Sequence, residues 1–190
     1  MSDSPRAAAA LPVLVLTGLA WLAELVDAVV PGSFDQYGIR PRSLDGLTGI
    51  VLAPFLHVGF AHLIANTMAF LLLGAVVAWT TRAFWPVTIG VVLLGGLGVW
   101  LFAPPNTVTV GASGLIYGYA AFLVAWGVLA RRLLAFVVAV VVAFVYWSLL
   151  FGVLPGQPGI SWQGHLFGMI AGVLMAWWLA RPGRARGFRR

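Results

Sequence analysis

Residues 110–118 read VGASGLIYG and residues 164–172 read GHLFGMIAG. Each places one reactive polar side chain, Ser113 or His165, among small residues. A hydroxyl in apolar surroundings is costly unless it is hydrogen-bonded. An imidazole that takes its proton also turns it into a nucleophile. A second pair, His62 and Asn66, is spaced i,i+4 and shares one helical face. Both side chains are donors of the kind that stabilise an oxyanion. Together these residue types allow acyl transfer by nucleophile, base and anion stabilisers, with no metal or organic cofactor required. Other readings stand beside this one. A lone membrane serine commonly packs helices or bonds its own backbone, His62 could serve as the base in place of His165, and Asn66 could be interhelical glue. An acid orienting His165 would have to be Glu24 or Asp27 by triad logic, but an interfacial place or a bond to the next loop is the expected role for both. His57 is read as a structural residue of the first loop. Ser33, Ser148 and Ser161 lack glycine-lined access and a suitably spaced histidine, so they are poor nucleophile candidates.

The elements that must position these groups follow from composition. The chain has 190 residues, of which 62% are hydrophobic and 8% charged, whereas a soluble domain averages about 25% charged. Mean hydropathy is +1.01. There are no cysteines, which removes disulfides, thiolate metal sites and a thiol nucleophile. A bilayer core needs about 20 apolar residues per helix. Six stretches qualify: 8–30, 58–79, 84–103, 113–130, 133–153 and 163–180, punctuated by Pro31-Gly32, Arg82, Pro104-Pro105, Arg131-Arg132, the Gly152–Gly159 segment and Arg181-Pro182. The first stretch reads as a span, not as a signal peptide, because it ends in Glu24 and Asp27 without a small-residue cleavage site. All eleven basic residues are arginine and the net charge is +6. Six spans put nine of these arginines on one side and only Arg40 and Arg42 on the other, so both termini are expected in the cytoplasm. The arginine clusters flank apolar runs with no aromatic platform between them, which argues for a lipid bilayer and against nucleic acid. The fold class expected is an all-α membrane protein, a single six-helix unit spanning residues 1–190, with an outer interfacial or partly re-entrant loop at 31–57 and a basic cytoplasmic tail at 181–190.

Depth then groups the polar residues. Counting from the inner arginine of each span at 1.5 Å per residue, Ser113 lies roughly 27 Å up, His165 and Asn66 roughly 24 Å, and His62 roughly 30 Å. The hydrocarbon core is about 30 Å thick, so four polar groups from three helices fall in one layer just beneath the outer face. The fourth span carries Gly114 and Gly118, and the sixth carries Gly164, Gly168, Gly172 and Ala176 at every fourth place. Such faces let helices approach closely in lipid. If they meet, Ser113 and His165 meet with them. The Val110-Gly111 entrance also puts Ser113 near a helix N-terminus, where free N–H groups favour negative charge.

With FLHVGFAHLIANTMAFLLLG (55–74), GASGLIYG (111–118) and GHLFGMIAG (164–172), the chain resembles the rhomboid family of intramembrane serine proteases. The resemblance implies a six-helix bundle, with Ser113 as nucleophile and His165 as base. It implies His62, Asn66 and the Ser113 backbone N–H as oxyanion donors, and Tyr117 packed on the His165 ring. Gly111, Gly114 and Gly168 belong to the matching motifs as supporting positions. The family works with a dyad and needs no acid. Many rhomboids also carry a Trp-Arg pair in the first outer loop. Here that region reads LDGLTGIVLAPFLH, without the pair.

The resemblance implies serine endopeptidase cleavage of single-span membrane proteins near their outer ends, and the expected location is a cell membrane (bacterial inner or plasma). The cut would fall where a helix end unwinds at small or helix-breaking residues, and water would enter from the outer side, with Gln163, Ser161 and His57 near the mouth. Two other functions fit the composition. One is a catalytically silent relative that binds or escorts transmembrane helices. The other is a transporter using His62, Asn66 and Glu24, although conduction would need polar groups at several depths.

Overall fold

The structure is a computed structural model that describes residues 5–181. The basic tail from residue 182 onward lies outside the described residues. Eight α-helices follow in order: α1 (Pro5–Asp27), α2 (Gly49–Leu52), α3 (Gly59–Thr81), α4 (Phe84–Phe102), α5 (Ser113–Leu129), α6 (Leu133–Val145), α7 (Leu149–Gly152) and α8 (Trp162–Ala180). No strand occurs among the described residues, only one isolated antiparallel bridge between Ile39 and Thr109. By length and composition, α1, α3, α4 and α8 are long and apolar enough to cross a membrane, while α5 and α6 are shorter apolar helices.

Helix α5 is central. It packs most extensively on α8, and also on α6, α4 and α3, and ten of its residues, from Leu115 to Gly127, are buried. A helix so enclosed by protein meets little lipid, which makes its shortness tolerable. Its hydroxyl Tyr119 is fully buried and satisfied at 2.6 Å by Thr88 of α4, as a polar tip in an apolar interior requires. The periphery is the inverse of a soluble surface. Leu133 and Phe144 are each 80% exposed and Met68 is 70% exposed, a distribution suited to hydrocarbon as the solvent.

The stretch 133–153 is not one continuous helix. Helix α6 stops at Val145, and i→i+3 turns follow, with Leu149, Leu150 and Phe151 donating to the carbonyls of Tyr146, Trp147 and Ser148. This break brings the short α7, and Gly152 at its end, against Tyr117 and His165. The segment 31–57 is likewise ordered. Single 3₁₀ turns at Phe34–Tyr37, Asp45–Leu47 and Ala53–Phe55 flank α2, and Ile39 and Ala53 pack with Val99 and Ala103 in a small apolar cluster. A tryptophan–arginine clamp fixes it to α4. The Arg42 amide donates to the Trp100 carbonyl at 3.0 Å, its Nη1 donates to the Leu101 carbonyl at 2.8 Å, and the Trp100 indole donates to the Ser43 carbonyl at 2.8 Å. These two residues, 58 positions apart, anchor the loop to α4 without an adjacent Trp-Arg pair in the loop sequence.

Candidate functional site

The site is assembled where α5 and α8 cross. A side chain at Gly168 would strike the Gly114 carbonyl, and one at Gly172 the Gly118 carbonyl. Backbone-to-backbone contact of this kind is open only to residues without a Cβ. It fixes the start of α5 beside the start of α8, whose first turn is capped by Ser161 Oγ accepting from the Gly164 amide at 3.2 Å. Ser113 and His165 each lie in that first stretch. Ser113 Oγ and His165 Nε2 are 2.9 Å apart. The His165 ring, 8% exposed, stacks on Tyr117 with centroids 3.9 Å apart and planes 8° from parallel. Its Nδ1 is 2.9 Å from the Gly152 carbonyl oxygen.

The other pair arrives from α3. His62 Nδ1 accepts the Val58 amide at 3.4 Å, which leaves Nε2 as the N–H donor of the neutral ring. Both His62 Nε2 and Asn66 Nδ2 face Gly111. A Cβ at that position would lie 2.9 Å from the first and 3.5 Å from the second. Gly111 also has φ +107°, so conformation and space both exclude a side chain. Asn66 Nδ2 is buried and has no hydrogen-bond partner among the described residues. Buried donors are rarely left so, and this one stands beside the loop that leads into Ser113. That loop is pinned at two amides: Gly111 donates to the Ala53 carbonyl at 2.8 Å, and Ala112 to His57 Nε2 at 3.4 Å. The Ser113 N–H is the first of α5, where intrahelical acceptors run out.

A cavity of about 730 Å³ is lined by His62, Asn66, Ser113, Tyr117, Gln163 and His165 and bordered by loop residues 103–110 and 159–161. Gln163 and Ser161 therefore stand at its wall as the sequence suggests. His57 does not. It is 2% exposed, lies on the far side of the Ser113 loop against a separate apolar cavity, and touches the His62 ring edge-on at 5.1 Å between centroids. Its work is to hold the loop, not to wet the mouth. Neither acid of α1 reaches His165. Asp27 Oδ1 accepts the Phe34 amide at 2.6 Å, and Glu24 faces the backbone of Gly59. Ser33 and Ser161 cap helical turns. The Gly152 carbonyl and the Arg42–Trp100 clamp escaped sequence reasoning. The first is a backbone group with no side-chain signal, and the second joins distant residues.

A family model described as the Rhomboid domain matches residues 45–182. The uncharacterized protein Rv1337 of Mycobacterium tuberculosis is 42% identical over 189 residues, covering 94% of this chain and 78% of that protein. The uncharacterized protein ML1171 of Mycobacterium leprae is 41% identical over 184 residues, covering 90% and 72%. Rhomboid-like protease 5 of Toxoplasma gondii is 30% identical over 163 residues, which is 78% of this chain and 18% of that larger protein.

Proposed function

Because this chain belongs to the rhomboid family and is a multi-pass membrane protein, we propose that it is an intramembrane serine endopeptidase with Ser113 as nucleophile and His165 as general base. The observation that carries this reading is the 2.9 Å approach of Ser113 Oγ to His165 Nε2 beside a cavity of about 730 Å³. In this reading the six stretches from 8–30 to 163–180 are spans, both termini are cytoplasmic, and the cavity opens outward in a cell membrane.

The Ser113 hydroxyl gives its proton to His165 Nε2 as Oγ attacks a substrate carbonyl carbon. The carbonyl oxygen becomes an oxyanion. His62 Nε2, Asn66 Nδ2 and the Ser113 amide are the donors nearest to it, and an Asn66 group with no other partner costs nothing to commit. The imidazolium then protonates the leaving amine, the C–N bond breaks, and an acyl ester on Ser113 remains. Water attacks that ester, again through His165, and the hydroxyl is restored. Tyr117 sets the plane of the ring, and the bare faces at Gly111, Gly114 and Gly168 let the helices and the substrate approach. The substrate is a single-span membrane protein cut near its outer end. A carbonyl inside an intact helix is already bonded, so the cut falls where that helix frays.

A fluorophosphonate probe and a cleavage assay on single-span proteins in proteoliposomes test this. The wild type should be labelled and cleave, Ser113→Ala should do neither, His165→Ala should lose cleavage, and Asn66→Ala should lose about 10²- to 10³-fold in kcat. Cleavage that persists in Ser113→Ala overturns the assignment.

A further inference from the structure

We propose that the backbone carbonyl of Gly152 positions the His165 imidazole for proton transfer, in the place where a triad puts a carboxylate, and thereby makes the base competent only while the α6–α7 segment is seated. This rests on the Ser113–His165 reading above.

The chemistry of the contact is one-sided. A carbonyl oxygen only accepts, so the 2.9 Å contact between Gly152 O and His165 Nδ1 requires the hydrogen on Nδ1. The neutral ring then carries its lone pair on Nε2, facing Ser113 Oγ at 2.9 Å. Stacking on Tyr117 sets the plane of the ring, but a half-turn about Cβ–Cγ restores the same plane with Nδ1 and Cδ2 exchanged. The Nδ1 bond removes that freedom and selects the tautomer at once, which are the two services of a triad's acid. No carboxylate does this among the described residues: Asp27 is taken by the Phe34 amide, Glu24 faces Gly59, and Asp35 and Asp45 lie in 3₁₀ turns of the first loop, the latter 3.9 Å from Arg40. The position also needs glycine for space. A Cβ at 152 would strike the Tyr117 hydroxyl and come within 3.0 Å of His165 Nδ1.

The element that offers this carbonyl is short and meets the core through few side chains, Val138, Val142, Tyr146 and Leu149. Helix α7 is a single turn, and it follows α6 through turns only. Helix α6 packs chiefly on α5, and only its Ala139 and Val142 are buried. Displacing this segment outward would withdraw the Nδ1 acceptor while leaving Ser113, Tyr117 and the oxyanion donors in place.

Two variants of the full chain in proteoliposomes test the proposal. Gly152→Ala pushes the carbonyl away. Replacing Val153 by its α-hydroxy acid turns the 152–153 amide into an ester, which weakens the same carbonyl as an acceptor without adding bulk and also removes the Val153 N–H that donates to the Phe151 carbonyl. Both should lower kcat roughly 10- to 100-fold, a fraction of what a wrong tautomer costs a triad. KM should change less than about twofold, since the lost group acts only on proton transfer. Fluorophosphonate labelling of Ser113 should slow in step, and the acid limb of the kcat/KM profile should move. An active wild type whose ester variant keeps normal kcat, labelling rate and pH profile overturns this proposal alone. A fall in thermal stability without those kinetic changes does the same, because it would mark Gly152 as a packing residue. A wild type that neither labels nor cleaves overturns the protease reading and this inference together.

Discussion

An imidazole that is 2% exposed and accepts an amide through Nε2, as His57 does from Ala112, must stay neutral to keep its place. Burial, reinforced by the nearby His62, pushes its pKa down from 6.5 to about 4. In the unfolded chain the same ring takes up a proton near 6.5, so between these values the unfolded state binds more protons than the folded one. Stability is therefore full above pH 6.5 and drains away as the pH falls toward 4, by on the order of 3 kcal/mol from this one residue. Thermal unfolding in detergent at pH 7.5, 6 and 5 checks this. His57→Gln keeps an acceptor but does not titrate, so it should lose less stability on acidification than the wild type. Identical pH dependence in both would mean that the ring is not held neutral. The consequence reaches the site, because the amide that His57 holds belongs to the residue before Ser113.

At the scale of elements, the contact between α5 and α8 is decided by what is missing from it. Gly168 and Gly172 lie against the carbonyls of Gly114 and Gly118, so any Cβ there must force the two backbones apart. Gly168→Val should destabilise the protein by about 1–3 kcal/mol and should lengthen the Ser113–His165 contact, reducing activity more than stability. Gly18→Ala in α1 is the control, since a Cβ there meets nothing within 4 Å; it should leave activity unchanged and raise stability, if anything, by up to about 1 kcal/mol through helix propensity. Thermal unfolding and cleavage rates of the two variants provide the comparison, and equal behaviour would show that the small-residue faces are incidental. The run at 133–153 teaches a different lesson at this scale. Its hydropathy reads as one span because Val, Phe and Leu continue through it. The chain nevertheless turns at Tyr146–Phe151, where i→i+3 bonds replace the helical ladder. Periodicity records which residues are apolar, and it does not record where a tertiary contact, here Gly152 against Tyr117, bends the chain.

The whole molecule has a testable orientation. It lacks cysteine, so a single introduced thiol reports its own side of the membrane without background. Leu44, 81% exposed in the first loop, and Arg132, exposed between α5 and α6, are expected on opposite faces. A membrane-impermeant maleimide should label Leu44→Cys in intact cells and Arg132→Cys only after permeabilisation, and the reverse pattern would invert the topology. Sequence alone determined the helical membrane class, because a charge content of 8% leaves no other solvent for so much apolar surface. It also picked out Ser113, His165, His62 and Asn66 as candidates, because polar side chains in such a chain are few and the spacing from the inner arginines predicts a common depth for these. It named the small faces that join α5 to α8, since four-residue spacing is written in the letters themselves. The tertiary structure alone decided that His57 sits behind the Ser113 loop, that Trp100 and Arg42 clamp the first loop, and that a backbone carbonyl faces His165 Nδ1. The physical reason is common to all three. Each depends on a hydrogen bond with a main-chain group, and every residue but proline carries the same amide and carbonyl, so only the path of the chain determines which of them meet.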